Sequence, residues 1–216
     1  MKPFLKHKNL KILNTHDVGI QLPKNTKYLS GNLLSRWLIR HFVGTLSFMI
    51  SSIDIPVKTI LDVGCGEGII PRQIKDLWPS ATFHGLDIDH DLLKVAMKLV
   101  PELKCVASSV YSLPFREESF DLVCCTEVLE HLEHPRPALS EISRVGKEYL
   151  IFSVPDEPFW RIANMLRGAY LSEWGNSPGH VNHWQASVFI RFLSHYFDIV
   201  EVKRSFPWTI VLCRKK

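Results

Sequence analysis

The sequence predicts an α/β fold, a doubly wound, mostly parallel sheet with an antiparallel last strand. Three observations predict it. From Val57 onward, short apolar runs alternate with segments of helical periodicity. Successive runs start roughly 20–25 residues apart, room for one crossover helix each. The last two runs lie close together, as a hairpin added to a parallel array must.

The elements follow in order. Leu33, Leu34, Trp37, Leu38, Phe42, Leu46, Met49 and Ile50 recur at three- and four-residue steps, predicting a helix over 33–53. Thr59–Val63 is a short apolar strand, and a helix over 69–77 stops before Pro79. Thr82–Asp87 is the second strand, followed by a helix over 91–99 that ends before Pro101. Strands follow over 103–107 and 120–125, then a helix over 137–144 and a strand over 149–154. An aromatic insert occupies about 156–184, containing Phe159, Trp160, Tyr170, Trp174 and Trp184. It reads equally well as a satellite core and as an apolar acceptor pocket. A helix over 186–196 and strands over 197–202 and 208–213 close the chain.

Composition and charge narrow the classes. With 216 residues, 46% hydrophobic and 22% charged, the chain can bury one sizeable core and is neither collagen-like, disordered nor coiled-coil. The net charge of +4 is uneven. Residues 1–30 carry six Lys and one acid, whereas residues 31–200 carry 15 basic and 20 acidic side chains. The slightly acidic body argues against a nucleic-acid groove. The basic ends read as solvated lysines, with contact to a membrane surface through the N-terminal helix as the functional alternative. Five cysteines without a C-x-x-C pair read as reduced thiols of a cytoplasmic, possible membrane-associated protein.

The strongest motif is Ile60-Leu-Asp-Val-Gly-Cys-Gly-Glu-Gly68, a strand running into a glycine turn that opens a helix. Ile69 stands where a dinucleotide fingerprint wants its last glycine. Asp62 would repel a pyrophosphate but could accept hydrogen bonds from an ammonium. A ligand with a positive end and no phosphates fits better. Asp87, at the end of the second strand, is placed to take both hydroxyls of a ribose, or else to cap the next helix.

With those residues, Leu113-Pro-Phe-Arg-Glu-Glu-Ser-Phe-Asp-Leu-Val123 and Glu127-Val-Leu-Glu-His-Leu132, the chain resembles the class I S-adenosylmethionine (SAM)-dependent methyltransferases. The resemblance covers about residues 57–155. It implies a Rossmann-like seven-stranded sheet and a cofactor-binding set of Asp62, Gly64, Cys65, Gly66, Asp87, Ile88, Ser109, Val110 and Thr126. The family often carries an acid near the third strand's end. Here the stretch Ala107-Ser-Ser-Val-Tyr111 has none, so Ser109 and the Val110 backbone take its place. The chain then divides into residues 1–54, a Lys-rich segment and covering helix, and residues 55–216, the SAM-binding domain.

Glu127, Glu130 and His131 would share one face if they lay on a helix. The block is similar to one in ubiquinone-pathway O-methyltransferases and small-RNA 2′-O-methyltransferases, where two Glu and a His at this spacing take a divalent metal. By that comparison His180, in Gly179-His-Val-Asn-His-Trp184, completes the set. Three readings stay open: a divalent metal such as Mg held by Glu127, Glu130, His131 and His180; His131 or His180 as general base; or packing alone. The reading is O-methylation of a small apolar or phenolic acceptor, with Glu127 beside the methyl donor and His131 and His180 activating the acceptor. RNA 2′-O-methylation, nicotinamide-dependent oxidoreduction and non-catalytic cofactor binding are the alternatives.

Overall fold

A computed structural model describes residues 33–166, 168, 174 and 179–216. The Lys-rich segment over 1–32 and Tyr170 lie outside the described residues.

Seven strands form one sheet in the order β3-β2-β1-β4-β5-β7-β6. They are β1 (Thr59–Val63), β2 (Thr82–Asp87), β3 (Lys104–Ala107), β4 (Phe120–Thr126), β5 (Gly146–Pro155), β6 (Phe197–Ser205) and β7 (Trp208–Lys215). Pairing is parallel from β3 through β5, and β7 runs antiparallel to both β5 and β6. The chain order crosses over between β3 and β4, so the first and fourth strands lie side by side at the switch point where such sheets hold ligands.

Alternation along the strands builds two cores. Ile60, Leu122, Cys124, Ile151 and Leu212 face one side, while Leu61, Val123, Cys125, Phe152 and Val211 face the other. The first side is covered by α1 (Leu33–Ser51), α2 (Ile69–Ile74) and α3 (His90–Leu99). The second is covered by α4 (Pro135–Val145) and α6 (Ala186–Ser194). The Asp89 side chain accepts from the backbone N–H groups of Asp91 and Leu92, which fixes the start of α3.

Helix α1 is spent on this core. Phe42, Val43, Leu46, Met49 and Ile50 are fully buried, and Phe42 packs on Trp208 with ring centroids 4.9 Å apart. Fully burying each large one stabilises the fold by about 1.5–3 kcal/mol. That face is therefore core rather than lipid-facing; only Leu33, Leu34, Trp37 and Phe48 are left outside. None of the described helices is long and apolar enough to cross a membrane. All five cysteines are free thiols, four of them buried.

One helix within the aromatic insert escapes the sequence reading: α5 (Phe159–Leu166). Its buried residues are Ala163 and Asn164, while Phe159, Ile162, Met165 and Leu166 point out. An apolar stripe on the outer face hides the usual inward periodicity.

Candidate functional site

The glycine turn and the carboxyl ends of β1, β2 and β4 surround one cavity of about 410 Å³. All nine residues of the expected cofactor set line it, from Asp62 and the turn through Asp87 and Ile88 to Ser109, Val110 and Thr126. Ile88 is 77% exposed at its rim, a flat apolar surface left for a ligand to cover.

The turn's hydrogen bonds decide what kind of ligand it suits. Gly64 N–H and Cys65 N–H both donate to Leu86 O, at 2.7 and 2.9 Å. Gly66 N–H donates to Asp87 Oδ2 at 2.9 Å, and Asp89 N–H to Asp87 Oδ1 at 2.9 Å. The first three N–H groups are thus committed, which leaves a poor cradle for a pyrophosphate. Asp87 is locked by the turn, and each of its oxygens keeps acceptor capacity toward the cavity.

Asp62 is 2% exposed, and neither carboxylate oxygen has a hydrogen-bond partner. Burial first, and the negative charge of Asp87 second, push its carboxyl well above the usual carboxylate range. A buried orphan acceptor lining a cavity calls for a donor from the ligand, and a cationic donor most of all.

Gly64 has φ 73, and a Cβ there would overlap Val128 Cγ2. Gly64→Ala is therefore expected to cost about 2–3 kcal/mol, the sum of left-handed strain and overpacking. Gly66 has φ 50 but open space where its Cβ would be, so Gly66→Ala should cost only about 1 kcal/mol. Urea unfolding of both variants checks the difference.

The Glu127-x-x-Glu130-His131 block is not one helix face. Strand β4 ends at Thr126, Glu127 turns to φ 59, and only Leu129–His131 coil into a single 3₁₀ turn. Long-range bonds impose this. Glu127 N–H donates to Ser153 O at 3.2 Å, the Trp208 indole N–H to Glu127 Oε2 at 2.7 Å, and Ser153 Oγ–H to Glu127 Oε1 at 3.3 Å. Glu127 lines the cavity but does not join the other three residues expected to share its metal.

Those three do meet: Glu130, His131 and His180 offer ligand atoms all within 4.8 Å of one another. Val181 N–H and Asn182 N–H donate to Glu130 O, and the Asn182 amide donates to Leu129 O and Leu132 O. This clamp carries His180 to His131, with ring centroids 4.9 Å apart. His131 Nδ1 lies 2.8 Å from Gly179 O. A carbonyl only accepts, so Nδ1 bears a proton, and Nε2, the nitrogen left for an acceptor, lies 4.0 Å from Glu130 Oε1. His131 lines the cavity, and Trp160 stacks on His180 at 5.8 Å. His183 instead faces Glu157, at 3.6 Å.

Sequence reasoning overlooks Glu67, Tyr111, Asn182 and Trp208. Glu67 is 3% exposed and, like Tyr111, lines the cavity. The signals were an acid inside the glycine turn and an Asn between two histidines; nothing local marks Trp208.

Residues 61–152 match the family model described as a methyltransferase domain. An uncharacterized methyltransferase of Schizosaccharomyces pombe is 33% identical over 99 residues, covering 41% of this chain and 36% of that protein. The ubiquinone biosynthesis O-methyltransferase of Hydrogenovibrio crunogenus is 33% identical over 99 residues, covering 44% of this chain and 40% of its own length. The chain thus spans under half the length of these curated relatives. Among solved structures, magnesium protoporphyrin IX methyltransferase of Synechocystis with bound SAH matches with a TM-score of 0.65. That match covers 87% of this chain and 89% of that one at 17% identity, a likeness of fold.

Proposed function

We propose, from the match of residues 61–152 to a methyltransferase-domain model and from the site's geometry, that the chain binds SAM in the cavity and methylates an oxygen of a small apolar or phenolic acceptor. The observation that carries the reading is the orphan carboxylate of Asp62 beside a turn whose first N–H groups are already used. Such a site wants a ligand with an ammonium and no pyrophosphate. Asp87 binds the ribose hydroxyls, Ile88 covers the adenine, and Ser109 and the Val110 backbone face its edge. Bound SAM supplies a sulfonium methyl with an excellent leaving group, so the protein's task is mainly to orient the acceptor.

Acceptor activation falls to Glu130, His131 and His180, with Glu127 beside the methyl donor. His131 Nε2 takes the acceptor's proton, and Trp160, which stacks on His180, keeps the acceptor's apolar part in place. A metal fits the same group: two imidazoles and a carboxylate suit a borderline ion such as Zn²⁺ or Fe²⁺ better than Mg²⁺. Held there, it would stabilise the acceptor oxyanion.

Thermal melts with SAM and with NAD test the cofactor. SAM is expected to raise Tm by about 4–10 °C at a hundred times its Kd, and NAD to leave it unchanged. A shift with NAD alone would sink the proposal. A radiolabelled-methyl screen over phenolic, lipid and RNA extracts, with and without chelator, tests the acceptor. Label confined to RNA would overturn the apolar acceptor, and indifference to chelator would assign the cluster to base catalysis without metal.

A further inference from the structure

The apolar face of α5 turns away from the core, and it does not stand alone. Phe159 meets Phe206 of the β6–β7 turn, with ring centroids 6.3 Å apart. Ser205, beside Phe206, lies 2.7 Å from His41 Nδ1, and His41 stacks on Trp37 one turn earlier in α1. The β6–β7 turn lies at the carboxyl ends of the parallel strands, because Trp208 pairs with Pro155. At its other end α1 leads to Asp54, which is bonded to Tyr149 near the start of β5. The helix therefore runs antiparallel to β5, and its first two turns extend past the sheet toward the ligand edge. Leu33 at its tip is 84% exposed, and Leu166 at the end of α5 is 76% exposed.

Three elements thus present one run of outward apolar side chains, from Leu33 and Trp37 across Phe206 to Phe159, Ile162 and Leu166. A run of this kind on the ligand edge of the sheet marks a contact surface. Charge identifies the partner. Helices α1 and α5 carry Arg36, Arg40 and Arg161 and no acidic residue. The segment that enters α1 at Leu33 adds six Lys against one Asp over residues 1–30. Apolar side chains on two helices whose own charged residues are all basic match the acyl–headgroup boundary of an anionic bilayer, where each basic residue adds to the attraction.

We infer that α5, Phe206 and the first turns of α1 form a docking face for an anionic membrane surface. The face opens the acceptor site to that membrane. On the inner side of α5, at the spacing of Ala163 and Asn164, Trp160 stacks on His180. One helix therefore separates the bilayer from the groups that activate the acceptor, the shortest route for a lipid-dissolved acceptor. This last step rests on the methyltransferase reading; the docking itself does not.

Co-sedimentation of the full chain with vesicles tests it, using phosphatidylcholine alone and phosphatidylcholine mixed with phosphatidylglycerol. At least about tenfold more protein is expected on the mixed vesicles at low salt, with the excess lost as salt rises. The exposed variants Leu33→Ser/Trp37→Ser and Ile162→Ser/Leu166→Ser should each lose about tenfold in binding while keeping the wild-type Tm. Equal binding to both vesicles, or none to either, overturns the inference. So does a variant that changes oligomeric state in light scattering without any vesicle binding, because that would make the face a protein interface. Thermal shift with SAM in the same samples keeps the two claims apart: its loss refutes the cofactor reading and leaves the docking result standing.

Discussion

Replacing His131 with alanine is expected to lower methyl-transfer turnover by about 10²–10⁴-fold, the usual worth of a positioned general base. The Kd for SAM should change far less, because the ribose and ammonium contacts assigned to Asp87 and Asp62 lie elsewhere in the cavity. The expectation comes from the geometry of one ring. Gly179 O fixes a proton on Nδ1, which leaves Nε2 on the side of Glu130 and His180. The backbone bonds of Val181 and Asn182 to Glu130 O hold the segment that carries the partner histidine.

Two controls give the result its meaning. His180→Ala should also be slow, and the double variant should be little slower than the worse single one, because groups that act as a unit are not additive. Asn182→Ala touches neither cofactor nor acceptor. It removes two donors from Leu129 O and Leu132 O, and should slow turnover by loosening His180 rather than by deleting chemistry. Unchanged turnover in His131→Ala would remove the histidine from the mechanism. Loss of SAM affinity in the same proportion would make it a cofactor contact instead.

The same region shows where the sequence stopped being informative. The central strands were legible because both faces of each are apolar and the runs are short, as at Leu122–Cys125. Asp62, the glycine turn and Asp87 were legible because three neighbouring strand ends leave few residues that can face one ligand. Glu127 was not. Whether a five-residue block coils into a helix or a single turn was decided by Trp208, 81 positions away, whose indole holds the carboxylate. Helix α5 escapes for the opposite reason: its periodicity is real, but its apolar side faces out, and the stretch reads as an aromatic insert rather than a helix. His180 comes from the comparison; what carries it is Asn182, whose only local mark is its place between two histidines.

Asp62→Asn is expected to act in opposite directions on stability and binding. Without ligand, the wild-type carboxyl is buried with no partner and lies beside the charge of Asp87, so its pKa is well above the usual range. The sign follows from proton counting. Between the ordinary carboxylate pKa, near 4, and the raised folded value, the unfolded chain binds fewer protons than the folded one. Stability is therefore complete below the unfolded pKa and falls as pH rises toward the folded value. Asparagine cannot ionise and escapes that loss. The variant should melt close to wild type near pH 4 and increasingly above it toward pH 8. Relief of about 1–3 kcal/mol, at roughly 2–4 °C per kcal/mol for a chain this long, predicts a rise on the order of 5 °C. Binding goes the other way. An ammonium that meets a carboxylate in this enclosure gains a charge-assisted hydrogen bond that an amide cannot supply, so SAM affinity should fall about 100-fold. Below its raised folded pKa, wild-type Asp62 must give up its proton to make that bond. Titration calorimetry across the pH range from about 4 upward, in buffers of different ionisation heat, should therefore record proton release with SAM for the wild type below its raised folded pKa and less for the variant. A variant that melts lower at pH 8, or binds SAM as tightly as wild type, would mean that Asp62 is a structural acid and that the positive end of the ligand is held by another group.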